Sequence, residues 1–364
     1  MAGVIAAILS VFVSSAPGLR AAVPPPPPPP VAPAAASKLT VRQIVGQRMV
    51  FAYDGLKPPP ALKKRIRRGE AAGVIIFSRN VSSVGQMRAT MRSLQKIERP
   101  AGLRAPLIVM TDQESGPVRR IPGPPPSAKA QSHSVAAARA DGRATARTLR
   151  RAGVNLDLAP VADVGRPGAA LVREHRTHGN SAARVAKLVT AFAAGLRKGG
   201  VRATAKHFPG LGSSKINTDA APSHIGLALS TLRSVDEAPF ASLISADIDA
   251  IMLSTAVYPA LDARPAAFSS RWIDNELRAR LGFHGVTVSD DLQTPAVQSF
   301  GSIRQRAVRA ANAGIDVPLF VGTYAAGAQA ADGLVAAARS GQLSREALEM
   351  TAERVLALRA RLKG

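Results

Sequence analysis

The chain has 364 residues, of which 46% are hydrophobic and none is cysteine. This length accommodates one large domain, such as an α/β barrel of about 250 residues. The missing cysteine excludes disulfides, thiolate nucleophiles, cysteine-ligated zinc and a lipidated cysteine anchor. The formal charge of +24 predicts non-specific association with anionic envelope polymers, unless it only reflects an Arg-rich composition with solvated helix faces. Aromatic residues make up 4% and none interrupts the basic cluster Lys63–Arg68, so specific nucleic-acid binding is not expected.

The amino-terminal segment has the pattern of a secretory signal. Val4–Val13 is a short apolar run followed by small residues through Ala22, although no Lys or Arg precedes Arg20. Ten apolar residues are too few to span a bilayer, which takes about 20, so residues 1–22 are predicted to be a signal peptide rather than a membrane anchor. An unstructured Ala-rich leader or a misassigned start codon is the alternative. The mature protein is expected to be exported: extracellular, periplasmic or cell-wall associated, without a transmembrane anchor.

A proline-rich spacer follows. Pro24–Pro30 is seven consecutive prolines, which favour extended polyproline II, and residues 23–38 are predicted to be a linker. The folded domain is predicted to cover residues 39–364. Thr40–Gln43 has the sequence of a capping box and should open its first helix.

Eight strand-like apolar runs then alternate with helical segments. Helical periodicity is present in Val84–Ile97, Ala183–Leu196, Trp272–Leu281 and the tail Gly333–Leu358. Continuous apolar strands that alternate with helices predict a parallel sheet covered on its faces, and eight strands close a barrel. The fold is therefore predicted to be α/β, a (β/α)8 TIM-type barrel in a single domain. A doubly wound sheet is the alternative, but no glycine fingerprint follows the first strand. The eight predicted strands are Met49–Ala52, Val74–Phe77, Leu107–Thr111, Val154–Leu158, Val201–Thr204, Ala250–Ser254, Val286–Ser289 and Ile315–Phe320.

Polar side chains collect where the predicted strands end, which is the rim that carries active sites in such barrels. A lone Asp after a strand is often a helix cap or half of an ion pair. Carboxylate, Arg, Lys and His side chains gathered at one rim are harder to explain by a structural role alone. Carboxylates with Lys and Arg can hold sugar hydroxyls, and one carboxylate can attack an anomeric carbon. No metal or cofactor is expected, because the histidines lack ligand spacing and the carboxylates have compensating cations. The rim residues are Asp112, Glu114, Arg119 and Arg120 after strand three, Asp163, Arg173, Arg176 and His178 after strand four, Lys206 and His207 after strand five, and Asp290 and Asp291 after strand seven.

Six motifs in this order resemble glycoside hydrolase family 3, and specifically its single-domain β-N-acetylhexosaminidases. The resemblance covers roughly Leu39 to Leu362, and no second sandwich domain follows it. It implies a glycosidase that removes terminal β-linked N-acetylglucosamine from cell-wall fragments, in peptidoglycan turnover, or from chitooligosaccharides. The motifs are Gly73–Asn80, Thr111–Glu114, Leu158–Val164, Lys206–Gly210, Tyr258–Ala260 and Val288–Leu292.

The resemblance also implies roles for individual residues. The family uses a retaining mechanism, and its nucleophile corresponds to Asp290. Sugar-hydroxyl contacts are implied for Asp112, Arg120, Lys206 and His207. Arg176 corresponds to the Arg of a family Arg-Ser-Phe-Gly segment, in which His178 replaces the Phe. These are the substrate-binding candidates.

The general acid/base is where the sequence departs from the family. The family uses an Asp-Ser-His motif on the loop after strand five, and this motif falls on Asn217-Thr218-Asp219 here. Asp219 can itself be a carboxyl acid/base, or it can orient His224, whose imidazole titrates near neutrality. Otherwise both are ordinary loop residues. A β-glucosidase or β-xylosidase on the same barrel, or a catalytically impaired glycan-binding homologue, therefore remains an alternative function.

Overall fold

The computed structural model describes residues 36–114, 116–123 and 134–364. The predicted signal peptide, residues 1–22, and residues 23–35 of the predicted linker lie outside the described residues. Ala36 is already buried, and helix α1 (Val41–Gly46) follows at once. The Thr40 side chain accepts a hydrogen bond from the Gln43 backbone N–H, while the Gln43 side chain accepts one from the Thr40 N–H. The predicted capping box is therefore confirmed.

Eight parallel strands form the barrel, and each pairs with the next along the sheet. The first and last strands also lie against each other, which brings the sheet close to closure. All eight predicted strands are present, and the predicted α/β barrel is confirmed. An antiparallel hairpin, β7 (Val257–Tyr258) with β8 (Asp262–Pro265), is inserted after the sixth strand. The barrel strands are β1 (Val50–Phe51), β2 (Gly73–Ile76), β3 (Ile108–Thr111), β4 (Leu156–Asp157), β5 (Arg202–Phe208), β6 (Ala250–Leu253), β9 (Val286–Asp291) and β10 (Val317–Leu319).

Helices surround the barrel. The remaining α-helices are α2 (Pro60–Arg67), α3 (Val84–Gln95), α4 (Val135–Ala152), α5 (Ala170–Arg173), α6 (Ala182–Lys198), α7 (Leu229–Thr231), α8 (Ala238–Ser245), α9 (Ile303–Asn312), α10 (Tyr324–Arg339) and α11 (Arg345–Ala360). Segments Leu232–Asp236 and Arg271–Arg280 are π-helical, and Ser78–Asn80, Ala266–Phe268 and Pro295–Phe300 are 3₁₀ turns. Within the described part of the chain, no helix is both long and apolar enough to cross a bilayer.

The carboxyl-terminal tail is helical, as its periodicity predicts. The helical periodicity of Gly333–Leu358 belongs to two helices, α10 and α11, and not to one. Gly341 has φ +78°, in the left-handed region that ends helices, and the Ser344 side chain accepts from the Ala347 N–H to cap α11. The break lets α11 turn under the barrel.

Packing between described residues closes one end of the barrel. Apolar side chains from the strands fill the interior, and Val355, Leu358 and Leu362 from the α11 end join the same cluster. The Arg359 side chain, buried beside them, donates to the carbonyl oxygens of Leu103 and Pro106, which precede β3. Helix α11 therefore closes the amino-terminal end of the strands. The carboxyl ends of the strands lie at the opposite rim, where the polar residues are.

Candidate active site

A cavity of about 480 Å³ opens at the carboxyl ends of the strands. Seven of the eight candidate site residues line it: Asp112, Arg120, Arg176, Lys206, His207, Asp219 and Asp290. His224 is not among its described lining residues. A larger cavity, of about 700 Å³, lies on the outer surface against α9 and α10, but its described lining contains no carboxylate. Because carboxylates are needed for the predicted chemistry, the rim cavity is the candidate active site.

Lys206 forms the floor of this cavity. Its side chain is 2% exposed, and Nζ lies 2.6 Å from Asp112 Oδ1 and 2.7 Å from Glu114 Oε1. Burial alone lowers the pKa of Lys206, but the Asp112 and Glu114 carboxylates outweigh burial and raise that pKa above its usual range. A buried lysine thus stays charged because two carboxylates hold it.

Glu114 links Lys206 to Arg176. The Arg176 guanidinium donates two hydrogen bonds of 2.8 Å to the two Glu114 oxygens. Burial raises the pKa of Glu114, but the Lys206 and Arg176 cations outweigh it and hold that pKa well below its usual range. The bidentate geometry fixes the plane of both groups. Sequence reasoning noted Glu114 on the rim but did not select it as a site residue.

His207 is oriented by a buried carboxylate, Asp163. His207 Nδ1 lies 2.8 Å from Asp163 Oδ2, and Asp163 also accepts from the backbone N–H groups of His207 and Leu211. The Asp163 side chain is fully buried. His207 lines the cavity, and Asp163 fixes the orientation of its ring there.

Arg120 and Phe77 form one wall. The Arg120 guanidinium lies 5.6 Å from the centre of the Phe77 ring, and its Nε is 3.9 Å from Asp112 Oδ2. That Nε is buried and donates no hydrogen bond to any residue that the structure describes. The Phe77 ring and the Asp112 carboxylate hold this guanidinium against the cavity wall.

Strand β9 ends in two carboxyl groups with different surroundings. Asp290 lines the cavity, is partly exposed and accepts from the Asp291 N–H at 2.9 Å. Asp291 accepts from the backbone N–H groups of Gln293 (3.0 Å) and Val321 (3.3 Å). Burial, with a contribution from the Asp290 charge, raises the pKa of Asp291 to about 7. Asp291 is therefore largely protonated at mildly acidic pH.

The loop after β5 places Asp219, not His224, in the cavity. Solvent reaches Asp219, yet burial against the cavity wall and then the Asp290 charge raise its pKa. Its backbone N–H donates to Asn217 Oδ1 at 2.9 Å. His224 is exposed, and its backbone pairs with Val257 at the hairpin. The geometry brings together Asp219 and Asp290.

His178, which the sequence placed on the rim loop, lies outside the described cavity lining. It is buried, its Nδ1 has no hydrogen-bond partner among the described residues, and burial lowers its pKa to about 4. It is a neutral packing residue at neutral pH. Among the described residues there is also no group of three or more His, Cys, Asp or Glu side chains arranged to hold a metal ion.

Comparison with known proteins finds relatives over most of the chain. The model of the glycosyl hydrolase family 3 N-terminal domain matches residues 36–358. A protein from Arthroderma benhamiae, described as an uncharacterised secreted glycosyl hydrolase, is 40% identical over 91% of this chain and 96% of its own length. A β-hexosaminidase from Methylobacillus flagellatus is 34% identical over 70% of this chain and 75% of its own.

Solved structures give the same result. A glycoside hydrolase family 3 β-N-acetylglucosaminidase from a Paenibacillus species superposes with a TM-score of 0.83 at 32% identity, over 89% of this chain and 62% of that one. A β-N-acetylhexosaminidase from Beutenbergia cavernae gives a TM-score of 0.81 at 33% identity, over 88% of this chain and 98% of that one. The second protein is thus matched over nearly its whole length by the single barrel.

A (β/α)8 barrel whose rim cavity presents carboxylates beside Lys, Arg and His is an enzyme scaffold suited to carbohydrate hydrolysis. The matches identify it further. The chain belongs to glycoside hydrolase family 3 and is a glycosidase.

Proposed function

We propose that this enzyme removes terminal β-linked N-acetylglucosamine by a retaining mechanism, with Asp290 as nucleophile and Asp219 as general acid/base. The observation that carries this proposal is that both carboxyl groups line one cavity and that the Asp290 charge contributes to the raised pKa of Asp219. A pair of carboxyl groups whose environments differ is the arrangement that glycoside hydrolysis requires. The N-acetyl preference is supported by the names of the similar proteins, which are β-hexosaminidases and β-N-acetylglucosaminidases.

In the first step an Asp290 oxygen attacks the anomeric carbon while the bond from that carbon to the leaving oxygen breaks. Asp219 gives its proton to the leaving oxygen. Burial and the Asp290 charge raise the pKa of Asp219, which favours the protonated carboxyl that can donate at this moment. The products are the free leaving alcohol, an ester between Asp290 and the sugar, and an ionised Asp219.

In the second step water attacks the anomeric carbon, the bond from that carbon to the Asp290 oxygen breaks, and Asp219 takes the proton from water. The ester has removed the negative charge of Asp290, and that charge is one cause of the raised pKa of Asp219. The pKa of Asp219 therefore falls in the intermediate, where a base is needed. One residue can act as the acid and then as the base for this reason.

The floor and wall of the cavity hold the sugar ring. We assign this role to Asp112, Arg120, Arg176, Lys206 and His207, all of which line the cavity. Their charges compensate one another through ion pairs, so the cavity offers directed donors and acceptors to a neutral sugar.

The test compares hydrolysis of an aryl β-N-acetylglucosaminide and an aryl β-glucoside by the full chain, with Asp290→Ala as control. We expect turnover of the N-acetyl substrate that disappears in Asp290→Ala. Turnover of the glucoside alone would replace the N-acetyl assignment with a β-glucosidase. A wild-type rate in Asp290→Ala would remove the nucleophile assignment. Binding of N-acetylglucosamine oligomers without any turnover would identify a glycan-binding homologue.

The acid/base is tested with Asp219→Ala and with His224→Ala as the matched control. Asp219→Ala should slow a substrate with a poor leaving group by about 10²–10⁴-fold. An activated dinitrophenyl substrate needs little proton donation and should be slowed far less. Added azide should restore turnover in Asp219→Ala and yield the β-glycosyl azide, because azide attacks the sugar ester without needing a base. If azide instead rescues His224→Ala, His224 is the general acid/base.

The amino-terminal segment bears on where the enzyme acts. We propose that residues 1–22 direct export and that residues 23–38 act as a spacer; the secreted description of the Arthroderma relative supports this placement. Amino-terminal sequencing of the mature protein tests it, and a mature chain that begins at Met1 would contradict it.

Comparing release of N-acetylglucosamine from peptidoglycan fragments and from chitooligosaccharides would decide between the two substrate classes.

A further inference from the structure

Asn217 joins two loops at the mouth of the active-site cavity. Its Nδ2 donates to Glu174 Oε1 at 2.9 Å, and its Oδ1 accepts from the Asp219 backbone N–H at 2.9 Å. Its own carbonyl oxygen accepts from the Ala220 N–H at 2.9 Å. Asn217, Glu174 and Asp219 all line the cavity. The amide therefore fixes the turn that carries Asp219 and ties it to the loop after β4.

Glu174 is held in place by a second partner. Its Oε2 lies 3.1 Å from Arg176 Nη1, and Arg176 is in turn held by the bidentate pair with Glu114. Each Glu174 oxygen thus has one partner: Arg176 on one side and the Asn217 amide on the other. A continuous path of contacts connects the buried floor of the site to the loop that bears Asp219.

We propose that Asn217 and Glu174 are positioning residues that hold Asp219 in place for proton transfer. This inference rests on the proposed role of Asp219. Position 217 requires a side chain that donates to Glu174 and accepts from the Asp219 N–H, and an amide does both. A carboxylate at position 217 would instead face the Glu174 carboxylate, with no donor between them and with like charges in contact.

An exchange of the two functional groups tests the contact. Asn217→Asp places two carboxylates against each other, and Glu174→Gln places two amides against each other. In the double variant Asn217→Asp/Glu174→Gln, the donor and the acceptor have changed places. The introduced amide then donates to position 217 and accepts from Arg176, while the introduced carboxylate still accepts from the Asp219 N–H. The double variant also keeps the net charge of the wild type.

Each of the four proteins is assayed with an activated dinitrophenyl and a poorly activated alkyl or sugar leaving group. Asn217→Asp should lower kcat for the poor leaving group by about tenfold relative to the dinitrophenyl substrate, within the usual coupling of contacting residues. The double variant should recover most of this loss, and KM for the dinitrophenyl substrate should change little. Asn275→Asp, an exposed site on the segment Arg271–Arg280, controls for the added negative charge.

Two results would overturn the proposal. If Asn217→Asp leaves the ratio of the two rates unchanged, Asn217 does not position the acid. If the double variant is no better than Asn217→Asp, the contact with Glu174 does not matter. Thermal melting of each variant separates these outcomes from misfolding. Failure of azide to rescue Asp219→Ala would instead refute the acid role of Asp219, while a rescued Asp219→Ala with an unchanged rate ratio in Asn217→Asp refutes only the positioning role.

Discussion

The two adjacent carboxyl groups at the end of β9 should respond differently to the same isosteric change. Both side chains are partly buried, but Asp290 accepts a backbone hydrogen bond only from Asp291, whereas Asp291 accepts two, from Gln293 and Val321. Burial raises the pKa of Asp291 from 3.8 to about 7. Asp291→Asn keeps an oxygen that can accept both hydrogen bonds but removes the ionisation. Asp290→Asn removes the proposed nucleophile.

The magnitude for Asp291 follows from proton linkage. Between pH 3.8 and about 7 the unfolded chain loses the Asp291 proton while the folded protein retains it, so folding stability falls as pH rises. With these two pKa values the loss is about 1.7 kcal/mol at pH 5 and about 4 kcal/mol at pH 8. Asp291→Asn does not undergo this loss. The free energy of unfolding of the variant, minus that of the wild type, should therefore increase by about 2.5 kcal/mol from pH 5 to pH 8.

The assay is urea unfolding of both proteins at pH 5, 6, 7 and 8, because all other titrating groups are common to the two chains. The difference should rise with pH and flatten above about pH 7. A difference that does not change with pH would refute the neutral state of Asp291. In parallel, Asp291→Asn should hydrolyse the aryl substrate at pH 5 to 6, where the wild-type residue is already neutral, and Asp290→Asn should not.

Three further predictions concern the surroundings of the cavity. His178→Phe removes a buried imidazole whose pKa is lowered to about 4. As the pH falls from 7.5 to 4.5, the free energy of unfolding of the wild type should decrease by about 2.5 kcal/mol relative to that of the variant, because the unfolded chain takes up the proton first. A difference in urea unfolding that does not change with pH would contradict this. Lys206→Met leaves two carboxylates, Asp112 and Glu114, without their shared cation and should cost about 3–5 kcal/mol of unfolding free energy. A melting temperature equal to that of the wild type would show that Arg120 beside Asp112 and Arg176 beside Glu114 are sufficient. Asn80→Ala removes three hydrogen bonds that hold the loop after β2 and should cost about 3 kcal/mol by urea unfolding; a cost below about 1 kcal/mol would mean that water replaces them.

Much of the fold could be predicted from the sequence because its strands are buried on both faces. Such strands appear as continuous apolar runs, and each of the eight predicted runs contains or overlaps a barrel strand. The prediction of helical periodicity in the tail did not divide it into α10 and α11. The signals that separate them are local: Gly341 with its positive φ and Ser344 as a cap. Periodicity alone does not reveal such a break.

The site was predictable where a residue directly follows a strand. Asp112, Lys206 and Asp290 follow or end β3, β5 and β9, and parallel strands bring their ends to one rim. The contact between Glu174 and Asn217 was not predictable in this way, because the two residues lie 43 positions apart on separate loops. Their meeting depends on loop conformations, for which no hydrophobic period exists.

The same contacts explain why Asp219 is favoured over His224. Two backbone hydrogen bonds hold the chain around His224 to the hairpin: Ile225 N–H donates to the Val257 carbonyl at 2.8 Å, and Val257 N–H donates to the Ser223 carbonyl at 2.9 Å. Bringing His224 into the cavity would break this pairing and leave buried polar groups without partners, at a cost of about 1–3 kcal/mol for each group. Asp219 needs no such rearrangement, because its turn is already tied to the cavity wall. The departure from the family motif therefore supports a carboxyl acid in place of a histidine.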